Sequence, residues 1–378
     1  MMAAVVDIAG LSARISDKTV WTFVRARDAD GRSGWGEATL QGRVTELHRH
    51  VEALAPVVIA HSSAPYAETA DLVGTQGRSA AESAAIGGID QAIMDLQAQR
   101  QGVPLALALG TPRRSKIDLY ANINRGTLDR SPAGFAARAR DALADGFRAI
   151  KIAPLDDVRA DLVDTPEAHR LLDAGIARIA AVRAAIGPDI PLMVDCHWRL
   201  NEASASELLR AIEPLSLYWL ECPLREDAAA LPALRRLRSQ ANRGGVRLAG
   251  CESMTGVEGF RPFIEAGAYD VIMPDVKYAG GLVEMLRIAE TAAASGVQCS
   301  PHNPSGPIAH AHSVHLSALL EAFPFLEFQY AESPLFFEIV TGAFPDPRTG
   351  SSVVPTVPGS GAGIDIERLQ PLLVSTGR

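Results

Sequence analysis

Residues 191–198 read Pro191-Leu192-Met193-Val194-Asp195-Cys196-His197-Trp198, a short apolar run that stops on an acid and a histidine. Residues 119–124 (LYANIN), 147–153 (FRAIKIA), 217–222 (LYWLEC), 246–252 (VRLAGCE), 270–276 (DVIMPDV) and 297–302 (VQCSPH) have the same build, and a helix-length stretch follows each. Near-continuous apolar strands belong to parallel sheets covered on both faces, and the intervening helices supply the crossovers. This repetition predicts an α/β chain whose strands close into a TIM-type barrel rather than an open doubly wound sheet.

Outside this stretch the texture changes. Thr19–Arg27 alternates apolar and polar residues as a strand does, Asp28–Gly31 offers a turn, and Gly34-Trp35-Gly36-Glu37 reads as the return strand of a hairpin. Apolar residues at three- and four-residue spacing predict amphipathic helices over 43–58 and 80–101, the second stopped by Gly102-Val103-Pro104. The expected organisation is a small α+β domain over 1–115, a barrel over 116–335, and a loop-rich tail over 336–378 that packs back on the first domain.

Composition narrows the function. The chain has 378 residues, 47% hydrophobic and 21% charged, which is ordinary for a globular protein and speaks against disorder. With 36 Lys and Arg against 44 Asp and Glu, the net charge of −8 offers no basic footprint for nucleic acid or an anionic membrane. Met1–Lys18 lacks a basic start leading into an apolar core, and no apolar run reaches the roughly 18 residues that span a bilayer, so a cytoplasmic protein is expected. Cys196, Cys222, Cys251 and Cys299 are scattered among strand-like runs and read as buried reduced thiols.

A parallel barrel keeps its chemistry where the strands finish. Here those residues are Lys151, Asp195 with His197, Glu221, Glu252, Asp275 with Lys277, and His302. Singly, each is an ordinary solvated strand end. Together, Asp195, Glu221 and Glu252 end successive strands and converge, and three unpaired anions are expensive to bury. A divalent cation resolves the conflict, and an all-oxygen donor set favours Mg²⁺ over zinc or copper. Asp195 and His197, two apart on a continuing strand, would share one face and bring an imidazole beside the cation.

At this point the chain resembles the enolase superfamily, in its mandelate racemase-type subgroup. Gly34-Trp35-Gly36-Glu37-Ala38 is similar to the GWGE segment of that family's capping domain, and Ile89–Leu96 followed by Gly102-x-Pro104 resembles its IDxAxxDL helix. Asp195, Glu221 (in WLECP) and Glu252 stand at its three metal positions. Pro274-Asp275 before Gly280-Gly281 resembles its PD…GG segment, and His302 falls at its strand-seven histidine. The resemblance implies a modified (β/α)7β TIM-type barrel with an α+β cap formed from both chain ends. It also implies Mg²⁺-dependent removal of the proton α to a carboxylate, with His302 as the base, Asp275 orienting it, and Lys151 stabilising the enediolate opposite the cation.

Ala153 stands where the family's racemases often carry a Lys on the opposite face, which disfavours simple racemisation. Asp195-Cys196-His197 instead resembles the D-x-H segment of acid-sugar dehydratases, whose histidine protonates the departing β-hydroxyl. Ser300–Ala309 resembles the HxPxGPIA segment of the galactonate-type members. Asn122, Asn124 and Arg125 end the first strand, where Arg is either a fork for the substrate carboxylate or a loop anchor. Glu327 resembles the strand-eight acid that hydrogen-bonds that carboxylate.

Lys277 is open between a loop ion pair and a role in the site. His310, His312 and His315 lie on an Ala-rich helix whose context favours packing over a metal. Three departures from the family pattern stand out. Cys222 replaces the commoner second Glu, Cys251 and Ser253 flank Glu252, and the segment after Lys151 offers Asp156 or Asp157 to the pocket. The expected activity is that of a sugar-acid dehydratase, a hydro-lyase. Its rivals are a racemase, epimerase or cycloisomerase on the same fold and, remotely, a noncatalytic binding protein. A small-molecule carboxylate is the expected partner and a homo-oligomer the expected assembly.

Overall fold

The computed structural model describes residues 4–62, 78–161 and 165–374. The expected hairpin gains a strand: β1 (Val5–Arg14), β2 (Val20–Asp28) and β3 (Ser33–Glu37) form an antiparallel sheet in that order. Helices α1 (Val44–Ala60) and α2 (Ala80–Gln101) cover it. Ser79 caps α2 by accepting from Glu82 N, and Gly102 ends it in the left-handed conformation at φ 70°.

Helix α2 is buried around most of its circumference, unlike the one-sided amphipathic helix expected. The reason is close backbone packing. A Cβ on Gly34 would stand 2.1 Å from Ala92 O, one on Gly36 2.0 Å from Gly88 O, and one on Gly87 2.0 Å from Lys277 O. Helix α2 is thus pressed against β3 on one side and against a barrel loop on the other.

The barrel strands are β4 (Lys116–Asn122), β5 (Ile150–Ile152), β6 (Leu192–Asp195), β7 (Trp219–Glu221), β8 (Arg247–Gly250), β9 (Val271–Ile272), β10 (Gln298–Cys299) and β11 (Leu326–Gln329). They pair in parallel in the order β10-β9-β8-β7-β6-β5-β4-β11. Beyond the end of β10, Ser300 Oγ donates to Phe325 O (2.7 Å) and Asn303 Nδ2 to Glu327 O (3.0 Å), tying the two outermost strands of this order together.

Tyr120, Ala149, Met193, Trp219, Ala249 and Val271 fill the sheet's inner face as a buried plug of mixed large and small side chains. Side chains two residues apart share a face, so the next layer, about 6–7 Å higher, is Asn122, Lys151, Asp195 and Glu221. The apolar floor and the polar site above it therefore follow from one alternation.

Both chain ends join the cap to the barrel. Ser351–Val353 pairs antiparallel with β4, Leu373 bridges Ala13, and Val374 N donates to Ser12 O (2.9 Å). Glu37, fully buried, accepts from Gly306 N (2.8 Å) and Ala309 N (2.9 Å) and so caps the helix Pro307–Ser317 from across the interface. Asp90 accepts from Leu282 N (2.7 Å) at the start of the helix Leu282–Ala294, and Gln91 Nε2 donates to Glu37 O and Val276 O, both at 3.0 Å. No helix among the described residues is long and apolar enough to cross a membrane. The four cysteines are free and buried.

An amide offers one acceptor oxygen where Glu37 uses two, so Glu37→Gln leaves one buried N–H facing an NH₂. The expected cost is about 1–3 kcal/mol, measured by urea unfolding. An unchanged midpoint would show that this helix needs no carboxylate at its N-terminus.

Candidate active site

Four predicted residues stand on strands: Lys151 on β5, Asp195 on β6, Glu221 on β7 and Glu327 on β11. Four others lie beyond strand ends, and here the expected geometry needs correction. Strand β6 stops at Asp195, and His197 (φ 46°) and Trp198 (φ 56°) turn left-handed, so His197 does not share a strand face with Asp195. The two still meet, because the turn folds the ring back. Asp195 Oδ1 accepts His197 N (2.8 Å) and Oδ2 lies 2.8 Å from His197 Nε2. Cys251 (φ 69°) similarly swings the chain after β8 and delivers Glu252, while Asp275 and His302 follow β9 and β10 on loops.

Asp195, Glu221 and Glu252 are buried and each offers an oxygen within 4.8 Å of the others. Glu221 is held by Lys151 Nζ (2.6 Å) and by Trp219 Nε1 (2.8 Å). Burial, with the Asp195 and Glu327 charges, outweighs Lys151 and raises the Glu221 carboxyl to about 7. Glu252 is pushed well above the usual carboxylate range by burial and by Asp195 and Glu221. Asp195 goes the other way: burial opposes ionisation, but the charge and hydrogen bond of His197, with Lys151, hold it near 2. The Asp195 charge in turn raises His197, against burial.

Glu252 Oε2 is buried without a hydrogen bond, its recorded ion-pair contact being His302 Nε2 at 3.6 Å. An orphaned carboxyl oxygen among three converging acids fits a hard divalent cation, which these three residues are able to hold.

Beside the acids, His302 Nδ1 lies 2.8 Å from Asp275 Oδ2, and its Nε2 faces Glu252 Oε2 (3.6 Å) and Glu327 Oε2 (4.0 Å). Opposing burial, Lys277 and His302 keep Asp275 below the usual carboxylate range. Glu327 is fixed by Lys151 (2.8 Å), by Asn122 Nδ2 (2.7 Å) and by Asn303 N (2.9 Å). Lys151, between Glu221 and Glu327, has its ammonium held well above its ordinary pKa: burial opposes the charge and the two carboxylates outweigh it.

Asn303 escaped the sequence reading, and Asn122 was named at the end of the first strand without a role of its own. For Asn122 the signal was present, since it shares an inner face with Tyr120 by alternation.

The other candidates sit apart from this centre. Asn124 N donates to Asn122 Oδ1 (3.0 Å), and Arg125 pairs with Glu332 (3.1 Å) and donates to Pro304 O (3.1 Å). Asp156 is gripped by both Nε and Nη2 of Arg130, at 2.6 and 2.7 Å, and Asp157 is exposed. His310, His312 and His315 are buried and bonded to Pro345 O, Trp35 O and Ser360 O. Burial lowers them to about 4, 3 and 4, so they are neutral staples between helix, cap and tail.

Comparison with known proteins matches this architecture. Residues 8–110 match the family described as mandelate racemase / muconate lactonizing enzyme, N-terminal domain, and residues 134–369 match that described as enolase C-terminal domain-like. The D-galactonate dehydratase of Ralstonia nicotianae is 32% identical over 302 residues, covering 78% of this chain and 75% of the relative. That of Variovorax paradoxus is 30% identical over 360 residues, covering 92% and 89%. A mandelate racemase/muconate lactonizing enzyme-like protein from Rubrobacter xylanophilus superposes with a TM-score of 0.89 at 27% identity, over 100% of this chain and 99% of that one.

A capped α/β barrel with an acidic triad at the strand ends defines the class, an enzyme of the hydro-lyase type. The chain belongs to the enolase superfamily, in its mandelate racemase/muconate lactonizing enzyme group.

Glu221, raised to about 7, and Glu252, raised well above the usual carboxylate range, must lose protons before all three carboxylates bind a cation. Divalent-cation affinity is therefore expected to fall as pH drops through 7, by about tenfold per unit for each proton displaced. Calorimetric titration with MgCl₂ at several pH values checks this. A pH-independent affinity would mean that these carboxylates are not the ligands.

Proposed function

We propose that the protein is a Mg²⁺-dependent dehydratase of an acid sugar or related polyhydroxy carboxylate. The proposal places catalysis in the barrel, 116–335, under a cap formed by 1–115 and 336–378. The observation that carries it is the His302–Asp275 pair, whose Nε2 is directed at the acidic centre. General acid–base help is worth about 10²–10⁴-fold, far short of the ~8–23 kcal/mol that enzymes supply, so electrostatics must provide most of the rest.

Mg²⁺, held by Asp195, Glu221 and Glu252, would supply Lewis-acid stabilisation of the substrate carboxylate. The chain's own residues do the remainder. His302 Nε2 accepts the α-proton while Asp275 steadies the imidazolium. Lys151, positioned between Glu221 and Glu327, balances charge on the enediolate oxygens. His197 delivers a proton to the β-hydroxyl, which departs as water. The enol then tautomerises to a 2-keto-3-deoxy acid. Ala153 leaves the opposite face without a lysine base, so one-face abstraction suits elimination.

One observation favours an isomerase instead. His197 Nε2 lies 2.8 Å from Asp195 Oδ2, a contact that competes with donation from that nitrogen to a departing hydroxyl. Incubation in D₂O separates the readings, since α-deuterium incorporation without water loss supports the isomerase.

His302→Asn is expected to remove α-proton exchange and turnover together, by about 10²-fold or more. His197→Asn should spare exchange, followed by proton NMR in D₂O, and stop keto-acid formation. Equal loss of both in the His197 variant would overturn this division of labour. A screen of acid sugars with Mg²⁺ for keto-acid product tests the substrate class directly.

A further inference from the structure

Lys277 is buried and has no part in the chemistry above. Its grip on Asp275 is double: the main-chain N donates to Oδ1 (2.8 Å), and Nζ donates to Oδ2, the same oxygen that bonds His302 Nδ1. Nζ also donates to Ser305 Oγ, on the loop that carries His302, and lies 5.2 Å from the Tyr278 ring centroid. Both ends of the base's support are therefore tied to one ammonium. The peptide that carries it is clamped from the cap, where Gly87 packs on Lys277 O and Gln91 bonds Val276 O.

A competitor explains why such a grip matters. Tyr278 Oη stands 3.3 Å from His302 Nδ1, the nitrogen that Asp275 engages. If Asp275 accepts from Nδ1–H, the Nε2 lone pair is free and faces the acidic centre. If the Tyr278 hydroxyl donates to Nδ1 instead, the proton moves to Nε2 and the ring can no longer accept one there. The neutral tautomer is set by whichever partner holds Nδ1, and a carboxylate free to rotate about its side-chain torsions would share that nitrogen with the phenol.

We propose that Lys277 is a positioning residue for the base: by fixing both oxygens of Asp275 it keeps His302 in the tautomer whose Nε2 is free to take the substrate proton. This rests on the reading of His302 as the base. Lys277 touches neither the triad nor the substrate carboxylate's partners in the described contacts, so its effect should fall on chemistry rather than on binding.

The test uses the full chain with MgCl₂, ¹⁵N-labelled at histidine. The His302 ring signals are assigned by their loss in His302→Asn. Wild type is expected to show Nδ1 protonated and Nε2 bare. Lys277→Met should mix the tautomers, and its kcat should fall about 10–100-fold with KM within about threefold. The double variant Lys277→Met/Tyr278→Phe, which removes the competing hydroxyl, should return the ring to the wild-type tautomer. If Lys277→Met does not fold, Ser305→Ala, which releases Nζ on one side, should show the same shift in part.

A folded Lys277 or Ser305 variant with an unchanged His302 ring spectrum overturns the proposal. If wild type dehydrates no acid sugar, the proposed function fails, but the ring spectrum still decides the role of Lys277.

Discussion

Asp195, Glu221 and Glu252 bring three carboxylate oxygens within 4.8 Å of one another on top of a packed barrel plug. At 4 Å and an effective dielectric near 20, each pair of full charges repels by on the order of 4 kcal/mol, before any cost of desolvation. Much of the surrounding structure answers that repulsion. Lys151 and Trp219 each take an oxygen of Glu221, His197 covers Asp195, and Glu252 stays protonated well above the usual carboxylate range. Lys151 cannot serve Glu221 alone, because Glu327 also binds it. Removing any one partner would leave a charge buried without compensation, which is why these residues stand or fall as a set.

The barrel was legible because burial on both faces makes parallel strands nearly continuous apolar runs, and because alternation puts a charged layer two residues beyond the plug. Lys151, Asp195, Glu221 and Glu327 follow from that rule. His197 and Glu252 do not, since their directions depend on left-handed turns at His197 and Cys251, and neither is a glycine. Non-glycine residues hold such conformations only where tertiary bonds impose them. Here Trp198 N donates to Cys222 O (2.7 Å) and Cys251 N to Glu226 Oε1 (2.5 Å). No local pattern announces a bond to a residue more than twenty positions away. Strand β1 was missed for a simpler reason, because its Ala and Gly residues blur the alternation of Val5–Arg14.

The cap motifs are a case in which resemblance outran chemistry. Glu37 and the Asp90, Gln91 and Asp95 positions were recognisable, yet nothing in the linear sequence assigned them work. In the fold they terminate barrel elements from outside. Glu37 and Asp90 cap two barrel helices, Gln91 binds the strand-nine loop at Val276 O, and Asp95 accepts from Trp35 N (2.9 Å) and Ser360 N (2.7 Å), joining sheet to tail. Burial lifts Asp90 to about 7 and Asp95 to about 6, so the clamps resist ionisation and depend on their N–H donors to hold charge near neutrality. The two helices so capped are those that follow the Asp275 and His302 loops, which ties the placement of those loops to the cap.

The Cys222 substitution also has a physical reading. Residue 222 follows Glu221 and turns left-handed at φ 45°, away from the plug-and-site alternation, with its Sγ 4.0 Å from Glu226 Oε1. That same oxygen accepts from Cys251 N and from Tyr269 Oη (2.8 Å), so Glu226 braces the turn that aims Glu252. Burial already raises Glu226, and the Asp195 charge adds to this. A second carboxylate at 222 would stand directly against it, in a region where Lys151 and Lys277 are committed to Glu221, Glu327 and Asp275. A neutral thiol avoids that repulsion and leaves Glu226 free to brace the loop. The acid expected beside the triad is thus supplied from five residues after Glu221, where it supports a residue of the acidic triad through the backbone instead of joining that triad.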